Sequence, residues 1–270
     1  MISIDIINQC NFNCFFCAQK NNKAQILTLD DIVSKIVPAL KKLKISTIRL
    51  TPDEGEIFLH KDIYKILSVL SNLEHVTQIQ FFTNFEKINL QKYLKSNIKL
   101  NKIKMDISYY GINGVDEFKA QTQMQNKSFE RVEQNINAAT ELGIAFTLHS
   151  RTLEREYTFD DIRPSTEQKL DKYCLNAAMP QINCYGDLLQ CSCRGNVKEL
   201  EEYNVIGNIF KEDLYDLYTS YKRYEFFLEF NLGTPKNCFL CCTANCVSDN
   251  RTFSSYINFN ECKKNYSKRK

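Results

Sequence analysis

Short segments rich in Ile, Phe, Thr or Met recur at 2–8, 46–51, 78–83, 102–108 and 144–150. Between them lie apolar residues at helical spacing: Ile32, Val33, Ile36, Val37, Leu40 and Leu43; Ile63, Ile66, Leu67, Leu70 and Leu73; Phe129, Val132, Ile136, Ala139 and Leu142. Gly143 stands where a helix C-cap belongs. Such alternation predicts an α/β chain with a parallel sheet covered by helices. The strands are apolar on one side only. Ile103, Met105 and Ile107 alternate with Lys104, Asp106 and Ser108; Ile48 and Leu50 with Thr47, Arg49 and Thr51; Phe146 and Leu148 with Thr147, His149 and Arg151. A sheet packed by helices on both faces would be apolar on both. One polar face predicts a wet interior lined by Asp5, Arg49, Asp106, His149 and Arg151, as in a partial barrel that admits small molecules.

The 270 residues are 43% hydrophobic and 25% charged, ordinary for a globular chain. Lys and Arg number 35 against 32 Asp and Glu, and the dense basic run is the tail Lys263 to Lys270. That tail reads as a solvated terminus, so nucleic acid is not an expected partner. No apolar run approaches the roughly 18 residues that a membrane span needs. The first strand begins at Ile2, which leaves no space for a cleavable leader. The 12 cysteines are therefore expected to be free thiols in a reducing cytoplasm.

Three of them, Cys10, Cys14 and Cys17, lie in one run directly after the first strand, and the next is Cys174. Three thiolates with no fourth nearby would leave one iron of a bound cubane open. The competing reading is a zinc knuckle or a buried thiol trio, but zinc takes four ligands, commonly from two Cys-x2-Cys pairs.

Cys-x3-Cys-x2-Cys on the loop after a first strand resembles the signature of the radical S-adenosylmethionine superfamily. The resemblance implies an incomplete (β/α)6 barrel with a 4Fe-4S cluster on Cys10, Cys14 and Cys17. It implies S-adenosylmethionine at the open iron, cleaved to a 5'-deoxyadenosyl radical that takes hydrogen from a substrate. A reducing partner such as flavodoxin or ferredoxin is implied too. Phe16 matches the family's aromatic beside the adenine. Thr51 to His60 resembles the Gly-Gly-Glu-Pro segment: Gly55 would let the backbone approach the methionyl group, and Glu56 would accept from its ammonium. Glu54 and Ile57 stand where the family has glycine and proline. Thr83-Asn84 resembles the Thr-Asn-Gly turn with Phe85 in place of glycine, and Ser108 matches a position that touches ribose or carboxylate. Simple strand-end capping is the other reading of these polar residues. Arg151 is a candidate contact to a carboxylate, and His149 a candidate base. His60 and His75 read as surface or loop residues without a role.

The second cysteine group reads as Cys174, a hairpin turning at Tyr185 to Asp187, Cys191, a helical stretch from about Glu212 to Phe230, and Cys238-x2-Cys241. Four thiolates in two pairs close a metal site, either zinc or iron-sulfur. The order resembles the SPASM domain, more closely its shortened twitch form, which implies one auxiliary 4Fe-4S cluster on Cys174, Cys191, Cys238 and Cys241. Cys242, Cys246 and Cys262 echo the end of the full domain and its second cluster. Adjacent Cys241 and Cys242 diverge on most backbones, which favours one. Cys184 has no assigned role. Cys193 is either a hydrogen-atom donor, as in radical epimerases, or a packed thiol. The expected division is a core at 1–165, an auxiliary-cluster domain at 166–250 and a basic tail at 251–270. The layout resembles twitch-bearing dehydrogenases, implying two-electron oxidation of a hydroxylated small molecule, a sugar or cyclitol, with the auxiliary cluster taking the last electron. A radical epimerase or a peptide maturase is the alternative within the family. A cysteine-rich zinc-binding interaction module is the alternative outside it.

Overall fold

A computed structural model describes residues 1–15, 17, 24–50, 55–150, 179–190 and 204–225. Their strands are β1 (Ile2–Ile4), β2 (Thr47–Leu50), β3 (Gln78–Thr83), β4 (Ile103–Tyr109), β5 (Thr147–Ser150), β6 (Gln181–Ile182), β7 (Asp187–Leu189) and β8 (Val205–Asn208). They form one sheet in the order β5-β4-β3-β2-β1-β6-β7-β8. Neighbours run parallel from β5 to β6, and β6, β7 and β8 are antiparallel. The parallel strands all deliver their C-terminal ends, where barrel chemistry gathers, to the same rim.

The helical segment after the cysteine loop opens with a capping box, in which Thr28 Oγ1 accepts from Asp31 N and Asp31 returns an acceptor to Thr28 N. It runs through α1 (Leu29–Asp31), a π-helical stretch (Ile32–Ile36) and α2 (Val37–Leu43). Pro38 explains the wide turn. It has no N–H to return to the preceding turn, and Val37 N instead reaches back to Ile32 O. The remaining helices are α3 (Ile63–Ser71), α4 (Leu90–Lys95), α5 (Val115–Thr122), α6 (Asn126–Glu141) and α7 (Leu214–Tyr218). Of these, α4 and α5 carry no clear apolar period and are absent from the sequence reading. Gly143 follows α6 at φ +66, the left-handed position expected of it.

Sheet alternation separates two environments. Ile48, Leu50, Ile79, Phe81, Met105 and Ile107 face the helices and pack with Ile36, Leu40, Ile66, Leu67 and Leu70. Each such side chain contributes roughly 1.5–3 kcal/mol by leaving water. On the other face Arg49 pairs in register with Gln80 and Gln80 with Lys104, Asp106 with Thr147, and Ser108 with His149. The polar lumen expected from strand alternation is therefore present.

The structure corrects two details. β1 is three residues long, not seven, although Asp5 N still reaches Ile182 O and Ile7 bridges Ile26. His60 lies in a loop, as one half of the expectation has it, but not on the surface. It is 2% exposed, with Nδ1 accepting from Asp62 N and Nε2 at 2.8 Å from Leu27 O, an arrangement that suits one neutral tautomer and ties the β2–α3 connection to the capped helix.

The hairpin predicted at Tyr185 to Asp187 joins β6 to β7. Asn183 Oδ1 accepts from Tyr185 N and Asp187 N, and Gly186 lies at φ +83, where a Cβ would strike the Phe210 ring.

Candidate cofactor site

Cys10, Cys14 and Cys17 lie on the loop leaving β1, with Cys10 exposed, Cys14 buried and Cys17 between the two. Two sides of the barrel hold this loop. From below, Glu56 N donates to Gln9 O at 2.8 Å. Gly55 at φ +77 fits beneath the same strand because any Cβ would collide with Ile7 O and press on Gln9 O. From the flank, Asn13 N and Phe15 N donate to Thr122 O and Gln121 O at the end of α5. Phe12 meets Phe118 edge to face at a centroid distance of 5.5 Å. Within the loop, Cys17 N donates to Cys14 O, folding the third cysteine back on the second.

Donors are aimed at the first sulfur. Phe12 N stands 3.4 Å and Asn84 Nδ2 3.7 Å from Cys10 Sγ. Asn84 Nδ2 also donates to Asn11 Oδ1, Asn84 Oδ1 accepts from Glu86 N, and Asn11 Nδ2 donates to Glu86. This polar chain anchors the loop to the end of β3. The turn there includes Phe85 at φ +63, the conformation that glycine takes at low cost. Phe85 N donates to Thr83 Oγ1, and Asn135 Nδ2 accompanies it by donating to Phe85 O.

Glu56 closes the site from inside. It is 1% exposed: Oε1 accepts from Thr83 Oγ1 at 2.7 Å and Phe58 N at 3.1 Å, and Oε2 accepts from Asn84 N at 2.7 Å. Burial pushes its carboxyl up to about 7 even against the three donors. The carboxyl that the sequence aims at a ligand ammonium thus also staples the segment after β2 to the end of β3.

In the lumen, Asp106 is fully buried, with Oδ2 accepting from Gln80 Nε2 at 2.6 Å and Oδ1 lying 2.8 Å from His149 Nε2. Arg49 lies over Phe82 at 5.6 Å, and Asp5 accepts from the Gln181 amide. Tyr185 on the hairpin accepts from Asn8 Nδ2 at 3.2 Å, beside the start of the cysteine loop.

The predicted residues Cys10, Cys14, Cys17, Gly55, Glu56, Thr83 and Asn84 therefore gather at one end of the sheet, and Ser108 and His149 line the lumen. Phe16, Arg151, Cys174, Cys191, Cys193, Cys238, Cys241, Cys242, Cys246 and Cys262 lie outside the described residues. Cys184 is buried at the β6–β7 turn. Sequence reasoning missed Asn11, Asn135, Tyr185 and Gln80. Only Gln80 left a signal, being on the polar parity of β3.

The donor set suits an iron-sulfur cubane: Cys10, Cys14 and Cys17 stand on one short loop, and a cubane takes its thiolates at separate irons. Hydrogen bonds to sulfur of the kind made to Cys10 are how proteins tune such clusters.

Comparison with known proteins agrees. The model of a family described as the Radical SAM superfamily matches residues 4–167. A probable GTP 3',8-cyclase of Saccharolobus solfataricus is 25% identical over 175 residues, 60% of this chain and 52% of that protein. The GTP 3',8-cyclase of Mannheimia succiniciproducens is 25% identical over 140 residues, 48% and 41% respectively. The chain thus spans about half the length of the curated relatives it matches. Among solved structures, BtrN in complex with AdoMet and 2-DOIA superposes with a TM-score of 0.59 at 16% identity, covering 90% of this chain and 91% of that one. Native anSMEcpe with bound AdoMet superposes with a TM-score of 0.58 at 13% identity, covering 100% and 98%. At these identities the likeness is one of fold.

Proposed function

The chain belongs to the radical S-adenosylmethionine superfamily, and from that premise we propose that it oxidises a hydroxylated small molecule, of sugar or cyclitol type, by two electrons. Membership implies a 4Fe-4S cluster, S-adenosylmethionine and a reductant; when bound, the first two supply a 5'-deoxyadenosyl radical able to take a hydrogen atom. Cys10, Cys14 and Cys17 hold the cluster. Gly55 keeps the backbone open to the methionyl group, with Glu56, Thr83 and Asn84 positioning it, while Phe16 and Ser108 meet the nucleoside. The auxiliary ligands are Cys174, Cys191, Cys238 and Cys241, forming the twitch-type domain, and flavodoxin or ferredoxin is the reductant.

The observation that carries the oxidation is the Asp106–His149 pair, a hydrogen-bonded acid–base couple on the lumen face. Removing two electrons from a carbinol also requires a hydroxyl proton to leave, and this couple offers it a place to go. A second reading, radical chemistry on a purine nucleotide, is favoured by the relatives named GTP 3',8-cyclase. No described helix is long and apolar enough to cross a membrane.

The test is anaerobic reconstitution followed by reduction with dithionite in the presence of S-adenosylmethionine. The oxidation reading expects about eight irons per chain, 5'-deoxyadenosine, and a ketone from one of a panel of cyclitols and sugars. Turnover of GTP alone would replace it with the nucleotide reading, and turnover of a short peptide with the maturase reading. Solvent deuterium in a product of unchanged oxidation state would mark an epimerase using Cys193. Colourless protein carrying zinc and forming no 5'-deoxyadenosine would leave the interaction module.

A further inference from the structure

The Asp106 carboxylate has both oxygens spoken for, although no water reaches it: Gln80 holds Oδ2 and His149 holds Oδ1. A carboxylate only accepts, so the hydrogen on this bond belongs to His149 Nε2. In the neutral ring the other nitrogen, Nδ1, then carries the lone pair. Among the described residues Nδ1 has no hydrogen-bond partner, and the side chain is 45% exposed on the lumen side of β5. Phe82 borders the ring at 6.1 Å. The charged groups on the same face are Arg49 from β2, Lys104 from β4 and Asp5 beyond β1, the last engaged by Gln181.

We propose that His149 Nδ1 is the acceptor of the substrate hydroxyl proton, with Asp106 as its positioning residue and Gln80 as the group that fixes Asp106. This rests on the oxidation reading above. In the step itself the O–H bond breaks heterolytically, its electron pair stays on oxygen, and the proton forms an N–H bond at Nδ1. The Nε2 hydrogen stays on the ring, directed at Asp106, which neutralises the imidazolium. The hydrogen atom on the carbinol carbon would go to the 5'-deoxyadenosyl radical, and the remaining electron to the auxiliary iron-sulfur cluster that the oxidation reading includes. With its oxygen deprotonated, the carbinol carbon can become a carbonyl without a solvent base.

Two measurements on the full chain test this. With the ketone-forming substrate, His149→Gln should lower kcat, and the yield of ketone per 5'-deoxyadenosine, on the order of 100-fold with little change in KM. Asp106→Asn should do the same by a smaller factor, because an amide presents a donor where Nε2–H needs an acceptor. Independently of turnover, the chain has three histidines, so 15N-labelled imidazoles can be resolved in the cluster-loaded protein without substrate. His149 should show a protonated Nε2 and a bare Nδ1, and Asp106→Asn should mix the tautomers, an effect that a purely structural role would not produce. Ketone at the wild-type kcat from His149→Gln, or a protonated Nδ1 in the wild type, overturns the proposal while the oxidation reading stands. Absence of ketone from the wild type overturns both. If Asp106→Asn fails to fold, His149→Gln and the wild-type spectrum still decide, since that side chain is half exposed.

Discussion

Gly55 illustrates how one backbone atom's space controls a cofactor loop. It sits at φ +77 beneath the Ile7 and Gln9 carbonyls, where a methyl group would both strain the backbone and push the cysteine loop outward. Gly55→Ala should cost about 1–3 kcal/mol in urea unfolding. It should also reduce the iron retained after reconstitution, measured by iron count per chain. Glu56 makes a prediction in pH. Its carboxyl titrates near 7 in the fold against 4.5 for the free side chain, so between these values the folded chain binds more protons than the unfolded one. Stability from this group is full below about pH 4.5 and is lost as pH rises through 7, a difference on the order of 3 kcal/mol. Glu56→Gln should remove that decline, read as the difference between the two cluster-free chains in urea midpoints from pH 4.5 to 7.5. The Met1 amino group, lowered to about 6 by burial, titrates in the opposite sense and cancels in the difference. Below about pH 5 the variant should be the less stable of the two, because its amide nitrogen must face one of three donors, and the gap should narrow as pH rises through 7.

At the scale of elements, the turn after β3 sets backbone strain against packing. Phe85 pays for φ +63 with about 1–3 kcal/mol, and a glycine would relieve it. The ring, however, is fully buried and lies 6.2 Å from Phe146, and deleting a buried Phe side chain costs about 3–5 kcal/mol. Packing wins, so Phe85→Gly should destabilise by about 1–3 kcal/mol in urea unfolding despite matching the family's Thr-Asn-Gly turn. The same comparison explains what could be read in advance. Ile63, Ile66, Leu67 and Leu70 announce α3 because one apolar face is buried along its length. In α5 only Phe118, Gln121 and Thr122 are buried, too sparse a stripe to show as a period, yet its last carbonyls are what the cysteine loop hangs from.

Across the whole molecule, β1 lies inside the sheet, with β2 on one side and the β6–β7–β8 set on the other. Ending the chain at residue 178 would bare the β1 edge and strip Ile182, Leu188, Leu214 and Leu217 from the core. Such a truncation should be recovered as aggregate, whereas the full chain should elute as a defined species on size exclusion. The residues alone determined the strand–helix alternation, the polar parity that contains Arg49, Asp106 and His149, and the three-thiol loop after β1. Each is a relation between neighbours two to seven positions apart, set by the pleat, the helical turn or the reach of one loop. Only the tertiary structure decided that Glu56 is held by Thr83 and Asn84, 27 and 28 positions away, that His60 is buried against Leu27, and that Asp5 meets Gln181 across 176 positions. Those partners come together because strands far apart in the chain share one sheet, and a buried polar group must take whichever partner that sheet brings within reach.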